Sequence, residues 1–287
     1  MRSLRAELRG RALGLGALAA AGLLGLALTA VPGASGGYSA KLTNGADTAT
    51  TAKYFLCSDA LAQDQASALF QWPLNDAAGS AGPADISGQG HTGAYQGTVT
   101  TNASTPISCP RDGGTAWTLD GATNYADYPV QQTNPQVFTV EIWFRTTVAG
   151  GKLIGFGANA TGANTTYDRH VFLAANGSLV FGVYSGGAHT VSSPGPYNDG
   201  RWHYAAATLS SAGMALSVDG RSAVTGTTTV AENGSGYWRV GYDSISTTWS
   251  SPQTKTYFTG DLRYAAVYTT ALTSSQIAAH WAAGVGS

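Results

Sequence analysis

Hydrophobic and polar positions alternate with a period of two in several stretches of the chain after residue 67. Val137–Arg145 is the plainest case: Phe138, Val140, Ile142 and Phe144 share one face, and Thr139, Glu141, Trp143 and Arg145 share the other, because successive strand side chains point to opposite sides. Four large apolar groups on one face contribute roughly 1.5–3 kcal/mol each when fully buried. Met214, Leu216 and Val218 alternate with Ala215, Ser217 and Asp219, preceded by a strand over Arg201–Leu209 and a reversal at Ser210–Gly213. Asp219-Gly220 is a positive-φ dipeptide that turns this hairpin into Arg221–Thr225, and Asn198-Asp199-Gly200 punctuates its front. Asn176-Gly177 joins Val171–Leu173 to Leu179–Val183 in the same way. Further strands are predicted at Ala68–Leu74, Tyr95–Val99, Thr115–Leu119, Tyr125–Val130, Lys152–Phe156, Asp168–Ala174, Tyr237–Tyr242 and Tyr257–Tyr268, with Pro73 confining the first to an edge or strand end. One stretch, 273–283, reads as helix: Thr273 as N-cap with Gln276 three residues on, Leu272 and Ile277 as a staple, Ile277 and Trp281 on one face, and Gly284 as the stop. Many short strands separated by turn residues predict an all-β domain.

The beginning of the chain breaks this pattern. Arg2, Arg5, Arg9 and Arg11 precede the uncharged run Ala12–Val31, which reads as an export signal. The run is also long enough to span a bilayer, while the small residues at Gly33–Gly37 suit a signal peptidase, so residues 1–37 are a signal peptide or an N-terminal membrane anchor. The rest carries 11 basic and 15 acidic groups, an acidic balance without the electrostatic footprint of a nucleic-acid binder. Only 11% of all residues are charged, against about 25% in ordinary domains, so hydroxyls and backbone must carry solubility. In an exported chain the two cysteines, Cys57 and Cys109, read as one disulfide, worth about 4 kcal/mol in the chain-entropy account; no nearby histidine supports a metal site there. Residues 38–66 are polar and read as a leader or spacer, or an added edge strand, tethered by that disulfide.

The stretches FTVEIWFR, YDRHVFL, YNDGRWHY, SVDGR and YFTGDL…AVY, in that order, resemble laminin-G-like (LamG) domains of the concanavalin A-like lectin/glucanase superfamily, of the type found in secreted bacterial proteins. Asp85–Gly93 resembles the D-x-S-G-x-G-x-x-G loop near the start of such domains. The resemblance runs over roughly residues 68–283 and implies a two-sheet antiparallel jelly-roll sandwich with a short C-terminal helix, here residues 67–287. Many relatives hold a structural calcium between that glycine-rich loop and an acid on the last strand. The resemblance places Asp85 in the first role, but the second position is Arg263. A guanidinium cannot ligate a cation, so the expectation is that Arg263 replaces the ion and pairs with Asp85 or a neighbouring carbonyl, with Asp261 as a weaker ligand.

The superfamily holds both hydrolases and binders, and fold alone does not choose between them. Its glucanases carry their two carboxyl groups on one strand as E-x-D-x-x-E. Here Glu141 is followed two positions on by Trp143, so that strand has one acid and no partner, and Glu141 is expected beside Arg145 or on a solvated face. Asp168, Arg169 and His170 cluster without a nucleophile motif, and the five histidines show no zinc spacing. The expectation is a protein that is not an enzyme: a secreted or surface-anchored module binding an extracellular polysaccharide or a cell-surface protein, touching membrane only through its first 37 residues. A structural component of the cell envelope is the alternative, and a degenerate glycoside hydrolase a third. Candidate ligand contacts are Trp249, in a polar loop without apolar neighbours, Tyr167 and Tyr184 at strand and loop ends, since sugar binders stack sugar faces on exposed aromatics.

Overall fold

The computed structural model describes residues 42–44, 47–49, 53–249 and 255–285; the N-terminal export signal or anchor lies outside them. In chain order the first strands are β1 (Leu42–Asn44), β2 (Asp47–Ala49), β3 (Ala68–Trp72), β4 (Ala94–Gln96), β5 (Thr100–Asn102), β6 (Ala116–Asp120), β7 (Tyr125–Asp127), β8 (Gln132–Thr133) and β9 (Phe138–Arg145), with helix α1 (Cys57–Ala62) after β2. They continue as β10 (Lys152–Gly157), β11 (Tyr167–Leu173), β12 (Ser178–Tyr184), β13 (Ala188–Pro196), β14 (Trp202–Ser210), β15 (Gly213–Val218), β16 (Val224–Gly226), β17 (Ser235–Val240) and β18 (Thr259–Tyr268), before helix α2 (Ser274–Val285). Sheet A runs β13-β12-β11-β10-β17-β7-β4, with β8 also on β17; sheet B runs β16-β15-β14-β9-β18-β6-β5, with β3 also on β18; β1 and β2 pair as a hairpin. Every pairing is antiparallel, and the two packed sheets form the expected jelly-roll sandwich.

The alternation of β9 decides the layers. Phe138, Val140, Ile142 and Phe144 point between the sheets, where Phe138 meets Phe181 and Trp238 of sheet A at ring separations of 6.1 and 5.3 Å. The opposite face is not solvated. Trp143 packs with Tyr204, Tyr264, Tyr268, Leu61 and Ile277 in a second apolar layer beneath α1 and α2. Glu141 lies inside that layer, 1% exposed, which corrects the expectation of a solvated acid beside Arg145. Its oxygens accept hydrogen bonds from Tyr268 (2.7 Å), Tyr204 (2.5 Å) and His280 Nδ1 (2.9 Å), while His280 Nε2 stands 3.0 Å from Asp64. Burial pushes the Glu141 carboxyl up, but the imidazolium and the three donors outweigh it and hold it below its usual value. Arg145 pairs instead with Asp261 at 2.8 Å.

The segment read as a spacer is partly structural. Cys57–Ala62 is helical because Asp112 caps it from across the Cys57–Cys109 disulfide: its oxygens accept from the Cys57 and Ser58 amides at 2.8 and 3.0 Å, satisfying helix-end donors that no local residue reaches. Thr273 and Gln276 form the expected capping box of α2, with amide-to-side-chain bonds of 2.8 and 3.3 Å. Gly284 does not stop the helix. It sits in its last turn against the Trp143 ring, where a Cβ would not fit, so this glycine serves close packing of helix on sheet. In β18 the register slips between Arg263 and Ala266, with Tyr264 at φ 48°. The break lets the first half of β18 pair with β6 and the second half with β3.

Candidate functional site

The β14–β15 hairpin positions an open groove. Its register places Ala205 opposite Val218, so the two turns flanking it, 198–200 and 219–221, meet at one end of the sandwich. Asp219 and Gly220 both take positive φ (52° and 65°), as the Asp-Gly dipeptide predicts. Asp219 then accepts the Tyr204 amide on one oxygen (2.9 Å) and His203 Nδ1 on the other (2.8 Å), while His203 Nε2 reaches Asp199 at 3.0 Å. Burial alone lowers the His203 pKa, but the hydrogen bonds and charges of the two aspartates more than offset it and raise it. The two acids, one at each ring nitrogen, therefore favour the imidazolium form.

The groove encloses about 610 Å³ and also takes in Tyr197, Trp202, Arg201, Arg221 and Trp281. Trp202 and Trp281 are half-buried. The Trp202 indole nitrogen donates to the Pro106 carbonyl at 3.1 Å and the Arg145 guanidinium lies 5.2 Å from its ring. Trp281, on α2, closes over Gly220, where a Cβ would meet the ring at 2.5 Å. In the sequence these turns read as punctuation and not as a site. The signal was present: a short hairpin returns its two charged turns to one end.

The three aromatics expected to form a binding rim come together elsewhere, on the outer face of sheet A. Trp249 packs with Phe172 and Val180, with Tyr167 and Tyr184 half-buried around it. The expectation that Trp249 is exposed is corrected: it is 4% exposed, T-shaped on His170 at 4.2 Å. Gly182 makes the room, since a Cβ there would stand 2.8 Å from the indole. Beneath it lie charges with no access to solvent. Lys152 donates to the Ser244 carbonyl at 2.7 Å, and Asp243 stands 3.9 Å from Lys152 and 3.5 Å from Arg239. Burial pushes the Lys152 pKa down to about 8 despite Asp243, and pushes the Asp168 carboxyl up to about 6 despite the Arg169 guanidinium 2.5 Å away. Arg169 also donates to the Pro135 and Glu232 carbonyls, so the Asp168–Arg169 pair is a loop clasp and His170 turns away from it toward Trp249.

A structural calcium, which the resemblance left possible, does not fit the donor set. Asp85 accepts from the amides of Gln71 (2.9 Å), Ser87 (3.1 Å) and His91 (2.9 Å) and from the Ser87 hydroxyl (2.6 Å). Those four bonds occupy both oxygens and tie the glycine-rich loop to β3. Arg263 does not pair with Asp85, a correction to that expectation; its guanidinium is buried and donates to the carbonyls of Ser108, Cys109 and Gly113. Asp261 is committed to Arg145 and to the Thr118 hydroxyl at 2.7 Å. Carbonyls that would suit a cation here face a guanidinium instead.

No curated protein sequence matches the chain. Among solved structures it is similar to the binding domain of Paraclostridial Mosquitocidal Protein 1 (11% identity, TM-score 0.54, 76% of this chain and 52% of that one). It is likewise similar to the binding domain of botulinum neurotoxin DC in complex with rat synaptotagmin II (12%, TM-score 0.50, 76% and 52%) and to Trypanosoma rangeli sialidase in complex with sialic acid (15%, TM-score 0.50, 75% and 33%). The chain thus spans about half the length of the toxin domains and a third of the sialidase, and at these identities the likeness is one of fold. A laminin G family model matches residues 120–278, more than half of the chain, and covers the β14–β15 hairpin: the chain belongs to that family, within the concanavalin A-like lectin/glucanases superfamily.

Proposed function

We propose that this protein is a non-catalytic extracellular module that binds a glycan or a cell-surface protein, and that the β14–β15 groove holds the ligand. The observation that carries the reading is an open cleft of about 610 Å³ walled by Trp202, Trp281 and Tyr197 beside charged turns, the mixture of apolar planes and a few fixed polar groups that ligand sites use. The matched structures include binding domains and one sialidase seen with sialic acid, which is consistent with recognition by a sandwich of this kind. The disulfide suits an oxidising, extracellular setting, as does the family. The buried environment of Glu141 favours a structural acid over a catalytic one: three donors consume its oxygens, and retaining hydrolysis needs a second carboxyl about 5–5.5 Å away with sugar between.

The test is retention of the purified chain on a panel of insoluble polysaccharides and cell-wall fractions, alongside Trp281→Ala. Saturable retention lost in the variant at an unchanged melting temperature supports the groove. Retention by neither protein favours the alternative of a structural envelope component, and turnover of a soluble glycan would overturn the non-catalytic reading.

A further inference from the structure

Resting on the groove reading, the geometry points to a narrower ligand class: we infer that the groove takes an acidic glycan, one carrying carboxylate or sulfate groups, gripped by Arg201 and Arg221 while the sugar lies against Trp202 and Trp281. The polar groups of the groove differ in how far the protein itself already uses them. A neutral sugar is held through its hydroxyls by carboxylate, amide or backbone acceptors together with matching donors. Asp219, the better buried of the groove's two carboxylates, is engaged on both oxygens, and Asp199 on one. Asp219 accepts His203 on one oxygen and the Tyr204 amide on the other. Asp199 accepts His203 (3.0 Å) and the Arg201 amide (2.9 Å) on one oxygen, and its other faces the Arg201 guanidinium at 3.8 Å.

The donors are in the opposite state. The Arg201 side chain is 84% exposed, with that single long contact. Arg221 is exposed, and among the described residues its guanidinium has no hydrogen-bond or ion-pair partner. What the groove offers is therefore two planar, forked donors, the geometry that matches carboxylate and sulfate oxygens. The charges agree. The groove's two arginines stand beside two aspartates and His203, on a chain whose residues after 37 carry 11 basic and 15 acidic groups. The chain as a whole is acidic, while the well-exposed charges without a close partner in this groove are cationic.

The probes are two matched pairs: polygalacturonate against its methyl ester, and dextran sulfate against dextran. Each pair keeps the sugar and removes the charge. The purified chain is expected to bind at least one acidic member at least tenfold more tightly than its neutral partner, with affinity falling as salt is raised. Arg201→Ala/Arg221→Ala is expected to abolish that preference without moving the melting temperature. Lys53→Ala/Lys255→Ala, which removes the same charge outside the groove, is expected to change it less than twofold. Preference for polygalacturonate identifies a uronic acid, and preference for dextran sulfate a sulfate ester. Equal binding of charged and neutral members, an equal loss in the two double variants, or no binding of either acidic polymer overturns the proposal. If Trp281→Ala then still abolishes binding of a neutral polysaccharide, the groove stands and only the acidic class falls; if Trp281→Ala also binds as the parent does, the groove reading falls with it.

Discussion

The groove and the outer face of sheet A carry the same kinds of residue and differ in what covers them. Each combines tryptophan, tyrosine, histidine and opposed charges. In the groove the indoles are half-buried, the histidine is held by two carboxylates, and two arginines stand in solvent. On the sheet face the indole is closed down on a fully buried histidine whose two ring nitrogens have no partner, and the charges Lys152, Asp243 and Arg239 are inaccessible. An inventory of aromatics therefore does not locate a site. The state of the polar groups does: where donors and acceptors are consumed internally the cluster is architecture, and where one class of donor is left over the cluster has something to offer a ligand.

The largest expected effect comes from the layer that holds one wall of the groove. Glu141→Ala leaves the buried His280 without its main acceptor and should cost about 3–5 kcal/mol, read by urea denaturation, and should loosen α2 and with it Trp281. If stability is unchanged, α2 is not fixed by this network. Trp249→Ala should cost about 3 kcal/mol, as truncation of a buried tryptophan does, while leaving polysaccharide retention per folded molecule intact; lost retention at full stability would reverse the two assignments. Gly220→Ala should cost about 1–2 kcal/mol, since it forces a side chain into positive φ and against Trp281, and it should weaken retention where Trp249→Ala does not.

The smallest effect is a pair of opposite pH slopes. His203 has a raised folded pKa, so its contribution is complete below about pH 6.5, its unfolded value, and is lost as pH rises through the folded one. Lys152 has a folded pKa lowered to about 8 from the ordinary 10.5, so the fold gains stability as pH rises between those two values. His203→Asn should flatten the falling limb and Lys152→Met the rising one; thermal melts from pH 6 to 11 resolve both, and a variant that leaves its limb unchanged would show that another group carries it.

The sandwich was legible because β9 and β15 alternate cleanly and because Asn176-Gly177 and Asp219-Gly220 take the turns their residues demand. The capping box of α2 was legible for the same local reason. Burial on the outer faces was not. Glu141 and Trp249 read as exposed since their covering partners, His280 139 residues away and Phe172 with Val180 on sheet A, leave no mark in the neighbouring sequence. Helix α1 was missed because its cap is Asp112, 54–55 residues distant. The groove was half-legible: seven of its residues lie from Tyr197 to Arg221, but Trp281 arrives only when α2 packs.

The central claim, that the ligand enters the groove and not the sheet face, is tested most directly by hydrogen–deuterium exchange of the chain with and without the polysaccharide it retains most tightly. Slower exchange at residues 197–203, 219–221 and 278–285, with 167–184 and 243–249 unchanged, is the predicted result. Protection confined to 167–184 and 243–249 would contradict it and return the site to Tyr167, Tyr184 and Trp249.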